Sequence, residues 1–309
     1  SNLRKRRYLL MQETQPDLRR VLNRTGLAFA LFFVLYQTVP TVLSALLSAI
    51  APGAANSQIV QALLSTLPGY IVGLPAVWLV LRTARTPCPE QKKSDLTAAE
   101  FAGLAVVCIG AVFVFNLVGN GINLLVSLIK GSAAANLINT VLVFDTPVLA
   151  LMTVVIAPVA EEFLYRKVLW RWVGALGVRV YVFTSAALFM LAHGNVVQYP
   201  YTFVLGLIFA AVYAKTGRLV YPVALHMTVN FIGGVMASLA QTNAVLAGVL
   251  GWIYLVCTAA AVGLCVRHRD FFEMPDAPEH ALHDAMHCPG MLLCTAVSLA
   301  MAAFIIIFL

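Results

Sequence analysis

What most constrains this chain is a series of apolar runs long enough to cross a bilayer. A membrane-spanning helix needs about 20 mostly apolar residues. Nine candidate runs are present: Thr25–Ile50, Ile59–Leu81, Phe101–Ile129, Thr146–Trp172, Val180–Gly194, Tyr201–Ala214, Leu219–Ala240, Val245–Val266 and Met291–Leu309. In lipid every backbone polar group must be satisfied within the segment, so such runs fold as helices. The composition leaves little choice. Of the 309 residues 61% are hydrophobic and 11% charged, too few polar groups to cover the chain in water. A typical soluble domain is about 45–50% apolar and 25% charged. An ordinary soluble enzyme, a disordered chain and a nucleic-acid-binding module are excluded. The expected fold is all-α, a polytopic transmembrane helical bundle of eight or nine spans with a buried active-site cavity. The fifth and sixth runs are short, and they are expected to pair around a cavity or to leave one of them re-entrant.

The net charge of +7 is unevenly spread. Arg4, Lys5, Arg6, Arg7, Arg19, Arg20 and Arg24 all precede the end of residues 1–24, a basic segment expected in the cytoplasm. Membrane lipids, anionic ones included, are the partner this flank implies, and no basic stripe with interleaved aromatics points to nucleic acid. The first run is too long for a signal-peptide core and reads as a retained helix. Basic loops then alternate with bare ones: Arg82, Arg85, Lys92 and Lys93 in one, Lys215 and Arg218 in another, Arg267 and Arg269 in a third. That pattern predicts a cytoplasmic N-terminus and a cytoplasmic opening of the site. The chain divides into N-terminal helices over 25–145, a core over 146–240, and C-terminal helices over 241–309 with a cytoplasmic loop at 267–290. The six cysteines have no paired spacing and are expected as free thiols.

Ionisable groups inside spans are costly, so each is a functional candidate. Glu161 and Glu162 follow a long apolar stretch, and Glu162 and Arg166 stand i,i+4 with the acid first, the favourable order for a pair. Glu161 points about 100° away from Glu162, free to face a cavity. Pro158 predicts a kink just before the two acids. Phe189 and His193 share a face in the fifth run, as do His226 and Asn230 in the seventh. For the last pair the plain alternative is interhelical packing.

In this order the motifs Glu-Glu-x-x-x-Arg, Phe-x-x-x-His and His-x-x-x-Asn resemble the CPBP intramembrane protease family. That family includes the CAAX prenyl endopeptidases and the bacteriocin-processing or self-immunity proteins. The resemblance covers about residues 146–240. It implies a proteolytic site in which Glu161 activates water with His193, His226 and Asn230 stabilise the oxyanion, and Glu162 and Arg166 support. The implied partner is a membrane-associated or lipidated peptide or protein.

Peptide hydrolysis needs an activated water, an oxyanion stabiliser and a proton for the leaving amine. Two schemes fit. In the favoured one Glu161 and His193 polarise water with no metal. In the other Glu161, His193 and His226 hold Zn²⁺ as a His₂Glu set with an open position for water. The usual His-Glu-x-x-His zinc motif is absent. Ser185 lies outside any nucleophile motif. His280, His283 and His287 would share one helix face as a second metal candidate, against the plainer reading of a solvated loop. Two other classes stay open: a membrane scaffold or immunity-type regulator with the same fold, and a proton-coupled transporter.

Overall fold

A computed structural model describes residues 17–84, 86–87, 89–131, 147–275 and 281–308. Arg4, Lys5, Arg6, Arg7, Arg85, Cys88 and His280 lie outside the described residues. Among the described residues all regular structure is helical. Helix α1 is Leu18–Ile50, α2 is Gln58–Leu81 and α3 is Ala98–Lys130. The fourth span, α4, is Pro147–Leu176. Then come α5 (Val178–Ala192), α6 (Tyr199–Thr216), α7 (Val220–Ala240), α8 (Ala244–Arg267), α9 (Ala281–His287) and α10 (Pro289–Phe308). Local chemistry sets several ends. Asp17 Oδ1 accepts from Arg20 N at the start of α1, and Thr97 and Glu100 form a reciprocal capping box on α3.

Seven of these helices are long and apolar enough to cross a membrane; α5 and α6 are not among them. The chain is an integral, multi-pass membrane protein. The expected eight or nine spans counted the two short runs as crossings. At 15 residues α5 is about 22 Å long, short of a hydrocarbon core of about 30 Å. Its surroundings explain why it need not be longer. Residues Val180, Tyr181 and Val182 and the stretch Thr184–Phe189 are buried in protein. Helix α6 packs against it, with Phe203 edge-on to Phe183. The outer helices take the lipid instead: α8 exposes Trp252, Val256, Val262 and Val266.

Two cores flank this central pair. On one side α1, α2 and α10 pack on α4 and α5; on the other α3 and α8 pack on α6 and α7. The basic segments gather on one face of the bundle. Arg218 pairs with Asp95 at 2.8 Å, Lys215 Nζ donates to the Asp270 carbonyl at 3.0 Å, and Arg19 pairs with Asp284 at 3.1 Å. Cys108, Cys257, Cys265, Cys288 and Cys294 are free thiols.

The turn from α5 to α6, which carries site residues, is seated by α3. A Cβ on Gly119 would overlap the Val197 backbone carbonyl. Gly119→Val is therefore expected to push the turn away. Overpacking of this kind costs about 1–3 kcal/mol, readable as a lower melting temperature of the detergent-purified protein.

Candidate active site

Helix α4 is not a regular α-helix. Two π-helical turns, Met152–Ile156 and Phe163–Val168, bracket the α-helical turn Ala157–Glu162. Pro158 opens that central turn, so its missing N–H falls where the ladder already shifts register. The kink expected from Pro158 thus takes the form of a π turn, and a second follows the acids. A third, Phe231–Met236, begins directly after Asn230 on α7. Single π turns concentrate at functional sites because they re-aim side chains without breaking the helix.

Glu162 and Arg166 lie on the buried side of α4, both fully inaccessible. Arg166 Nε donates to Glu162 Oε2 at 2.7 Å and Nη2 to Oε1 at 3.3 Å. Arg166 Nη1 donates to Ser185 Oγ at 2.5 Å, and Ser185 Oγ donates to the Tyr165 carbonyl at 2.7 Å. The guanidinium sits 5.0 Å over the Phe189 ring. Every charge here has a partner, which an ion pair buried this deeply requires. Ser185 is spent on this network and is a structural residue.

His226 comes from α7 and lies against the same acids. Its Nδ1 is 2.9 Å from Glu162 Oε1, and its Nε2 is 3.7 Å from Glu161 Oε2. Since a carboxylate only accepts, Nδ1 carries the hydrogen and Nε2 faces Glu161. The ring is stacked on Phe209 and edge-on to Phe189. His193 closes α5. Its Nδ1 is 2.8 Å from the Phe189 carbonyl, again an acceptor, which leaves Nε2 for the cavity beside it. Gly194, at φ +54°, makes the turn that follows possible.

That cavity, ≈ 200 Å³ in volume, is walled by Tyr70, Glu161, Tyr165, His193, Gln198 and Met301 among others. Glu161 and His193 both line it. Tyr70 from α2 donates its hydroxyl to Glu161 Oε1 at 2.8 Å. His226 and Asn230 do not stand on the cavity wall. Asn230 is on the face of His226, but its Nδ2 donates at 2.9 Å to the carbonyl of Thr153, inside the first π turn. There it satisfies an acceptor that the altered ladder leaves over.

Both imidazoles are held at Nδ1 and present Nε2, an orientation that suits acid–base work or metal ligation alike. Among the described residues no group of three or more His, Cys, Asp or Glu side chains is placed to hold a metal ion. Glu161, His193 and His226 are not among such groups. The same holds for the histidines of α9. His283 and His287 stack with centroids 4.2 Å apart, His287 Nδ1 is 2.9 Å from the His283 carbonyl, and Asp284 pairs with Arg19.

Sequence reasoning missed Tyr70, Tyr165 and Gln198. Tyr70 and Gln198 had one available signal each: a hydroxyl beside two glycines in an apolar span, and an amide five residues after His193.

Residues 143–232 match the family model described as type II CAAX prenyl endopeptidase Rce1-like. The membrane-embedded CAAX protease MroQ of Staphylococcus aureus (strain USA300) is 33% identical over 94 residues, 27% of this chain and 37% of that protein. The chain thus aligns with just over a third of the relative's length. No solved structure matches the chain. The matched segment holds all three motifs, the buried Glu162–Arg166 pair and the cavity-lining Glu161 and His193, and over that segment the chain is similar to the CPBP family of intramembrane proteases.

Proposed function

We propose that the protein is an intramembrane endopeptidase that hydrolyses a peptide bond in a lipidated or membrane-associated peptide or protein. The observation that carries this reading is the cavity inside the bundle on which Glu161 and His193 meet. Glu161 takes a proton from water as the water oxygen attacks the peptide carbonyl, and returns it to the leaving amine. His193 orients that water through Nε2. His226 is fixed by Glu162, and its Nε2 approaches Glu161 Oε2 favourably when the two groups hold one proton between them. It is therefore placed to share the proton that Glu161 takes up. The ion pair Glu162–Arg166 sets the tautomer and position of His226 from behind.

The basic face of the bundle, and with it the N-terminus, is assigned to the cytoplasm by the positive-inside rule. Met301, on the cavity wall, is 12 residues into α10, about 18 Å of helix from that face. A substrate entering from the cytoplasm must therefore thread into the bundle to reach Glu161.

The test is mass spectrometry of membrane peptides incubated with the purified protein in nanodiscs. New cleavage products are expected with the wild type. In His193→Ala they fall by about 100-fold or more while the melting temperature holds. Equal products in that variant contradict the role of His193. A cellular phenotype that survives it supports a scaffold acting by binding.

A further inference from the structure

A glutamate turns about three side-chain bonds, and a general base must stay within hydrogen-bond reach of the proton it takes. Something has to hold Glu161. Its neighbour Glu162 is held by two nitrogens of Arg166 and by the His226 ring. Glu161 has no such cradle. Among the described residues its one hydrogen-bond donor is the Tyr70 hydroxyl, 2.8 Å from Oε1, and its nearest cationic candidate is His226 Nε2, 3.7 Å from Oε2.

Tyr70 is itself firmly placed. It is 6% exposed and stands on the cavity wall with Glu161. Its ring meets Tyr36 edge-on with centroids 5.1 Å apart and lies 6.2 Å from Phe32. Both neighbours belong to α1, and Gly69 and Gly73 leave room for them on α2. The hydroxyl is thus fixed by the packing of α1 on α2, independently of α4. Its bond also makes the two carboxylate oxygens unequal. A proton settling on Oε1 would cost the hydrogen bond from Tyr70, whereas Oε2 carries no such bond.

We propose that Tyr70 is a positioning residue for the hydrolysis: its hydroxyl fixes Glu161 through Oε1 and reserves Oε2 for the proton. As the water oxygen bonds to the peptide carbonyl carbon, its proton passes to Oε2 and the carbonyl π electrons move onto oxygen. The carbonyl then re-forms, the C–N bond breaks, and the amine leaves with the proton from Oε2. Tyr70 keeps its own proton throughout and acts only through Glu161.

This inference rests on the endopeptidase reading, and Tyr70→Phe separates the two. The substitution removes the oxygen and leaves the ring on Tyr36 and Phe32. The Glu161 side chain is 20% exposed, so water can replace the lost donor. The melting temperature should therefore move by about 4 °C or less. With the acid no longer held, kcat should fall by about 10- to 100-fold while KM stays within about twofold. Glu161→Asp is the discriminating background. Its retracted carboxylate is already out of reach of Tyr70, so adding Tyr70→Phe should cost less than about twofold more. A hydroxyl that serves only the fold would multiply the two losses. Multiplied losses, a raised KM with kcat held, or full kcat in Tyr70→Phe beside an inactive Glu161→Gln each overturn this proposal and leave the endopeptidase reading standing. No cleavage by the wild type, on substrates drawn from the host membrane, removes both.

Discussion

Arg166→Met is expected to cost about 3–5 kcal/mol of stability, enough to deplete the folded protein in detergent. The reason is what it strands. Glu162 is fully buried, and Arg166 donates to both of its oxygens, at 2.7 and 3.3 Å. Removing the guanidinium leaves a carboxylate in a low-dielectric interior with only the His226 ring against it. It also takes away the donor to Ser185 and the cation over Phe189. Arg166→Lys should recover little. An ammonium is a point donor and cannot bridge both Glu162 oxygens and Ser185 as the planar fork does. The double variant Glu162→Leu, Arg166→Met should regain much of the lost stability, because a buried ion pair is often replaceable by apolar groups. It should not regain activity, since His226 then loses its anchor. Thermal unfolding and monodispersity on size exclusion check the first three expectations, and peptide cleavage checks the fourth.

Glu161→Gln is expected to do the opposite: keep the fold and abolish the chemistry. The amide oxygen can still accept from Tyr70, and the side chain, 20% exposed, has no ion pair with Arg166 to lose. Its melting temperature should stay within about 2 °C of the wild type, as for a substitution worth under 0.5 kcal/mol. The amide cannot take a proton from water, and general acid–base catalysis contributes about 10²- to 10⁴-fold. Cleavage should fall by that factor. Glu161→Asp should be nearly as inactive, because retracting the carboxylate by one methylene breaks both the Tyr70 bond and the approach to His226. An error of about 1 Å in such a constellation costs about 100-fold.

What was legible in the sequence is what helix periodicity encodes. Glu162 and Arg166 meet because they are i,i+4, and the pair survives the π turn that begins between them. Phe189 and His193 touch for the same reason. The face shared by His226 and Asn230 was readable, but the partner of Asn230 was not. Its acceptor, the Thr153 carbonyl, lies in the first π turn of α4; Pro158 announced a distortion there but not which carbonyl it would free. Tyr70 illustrates a second limit. Its bond to Glu161 spans 91 positions and joins α2 to α4, and its ring is packed where α2 closely approaches α1. That approach rests on Gly69 and Gly73, where a Cβ would come 2.5 Å from the rings of Tyr36 and Phe32. Two small residues four apart on one helix mark a face built for close packing, so the contact surface was readable even though its partner was not. Length alone does not say whether an apolar run faces lipid or, like α5, other helices.

The central claim is that water activated by Glu161 hydrolyses a peptide bond inside this bundle. Its most direct test is cleavage of a membrane peptide by the purified protein in ¹⁸O-labelled water, wild type against Glu161→Gln, with both shown to be folded. The account predicts a new carboxyl terminus carrying one solvent oxygen in the wild type, and product at least 100-fold lower in Glu161→Gln. Undiminished labelled product from a folded Glu161→Gln protein would contradict it.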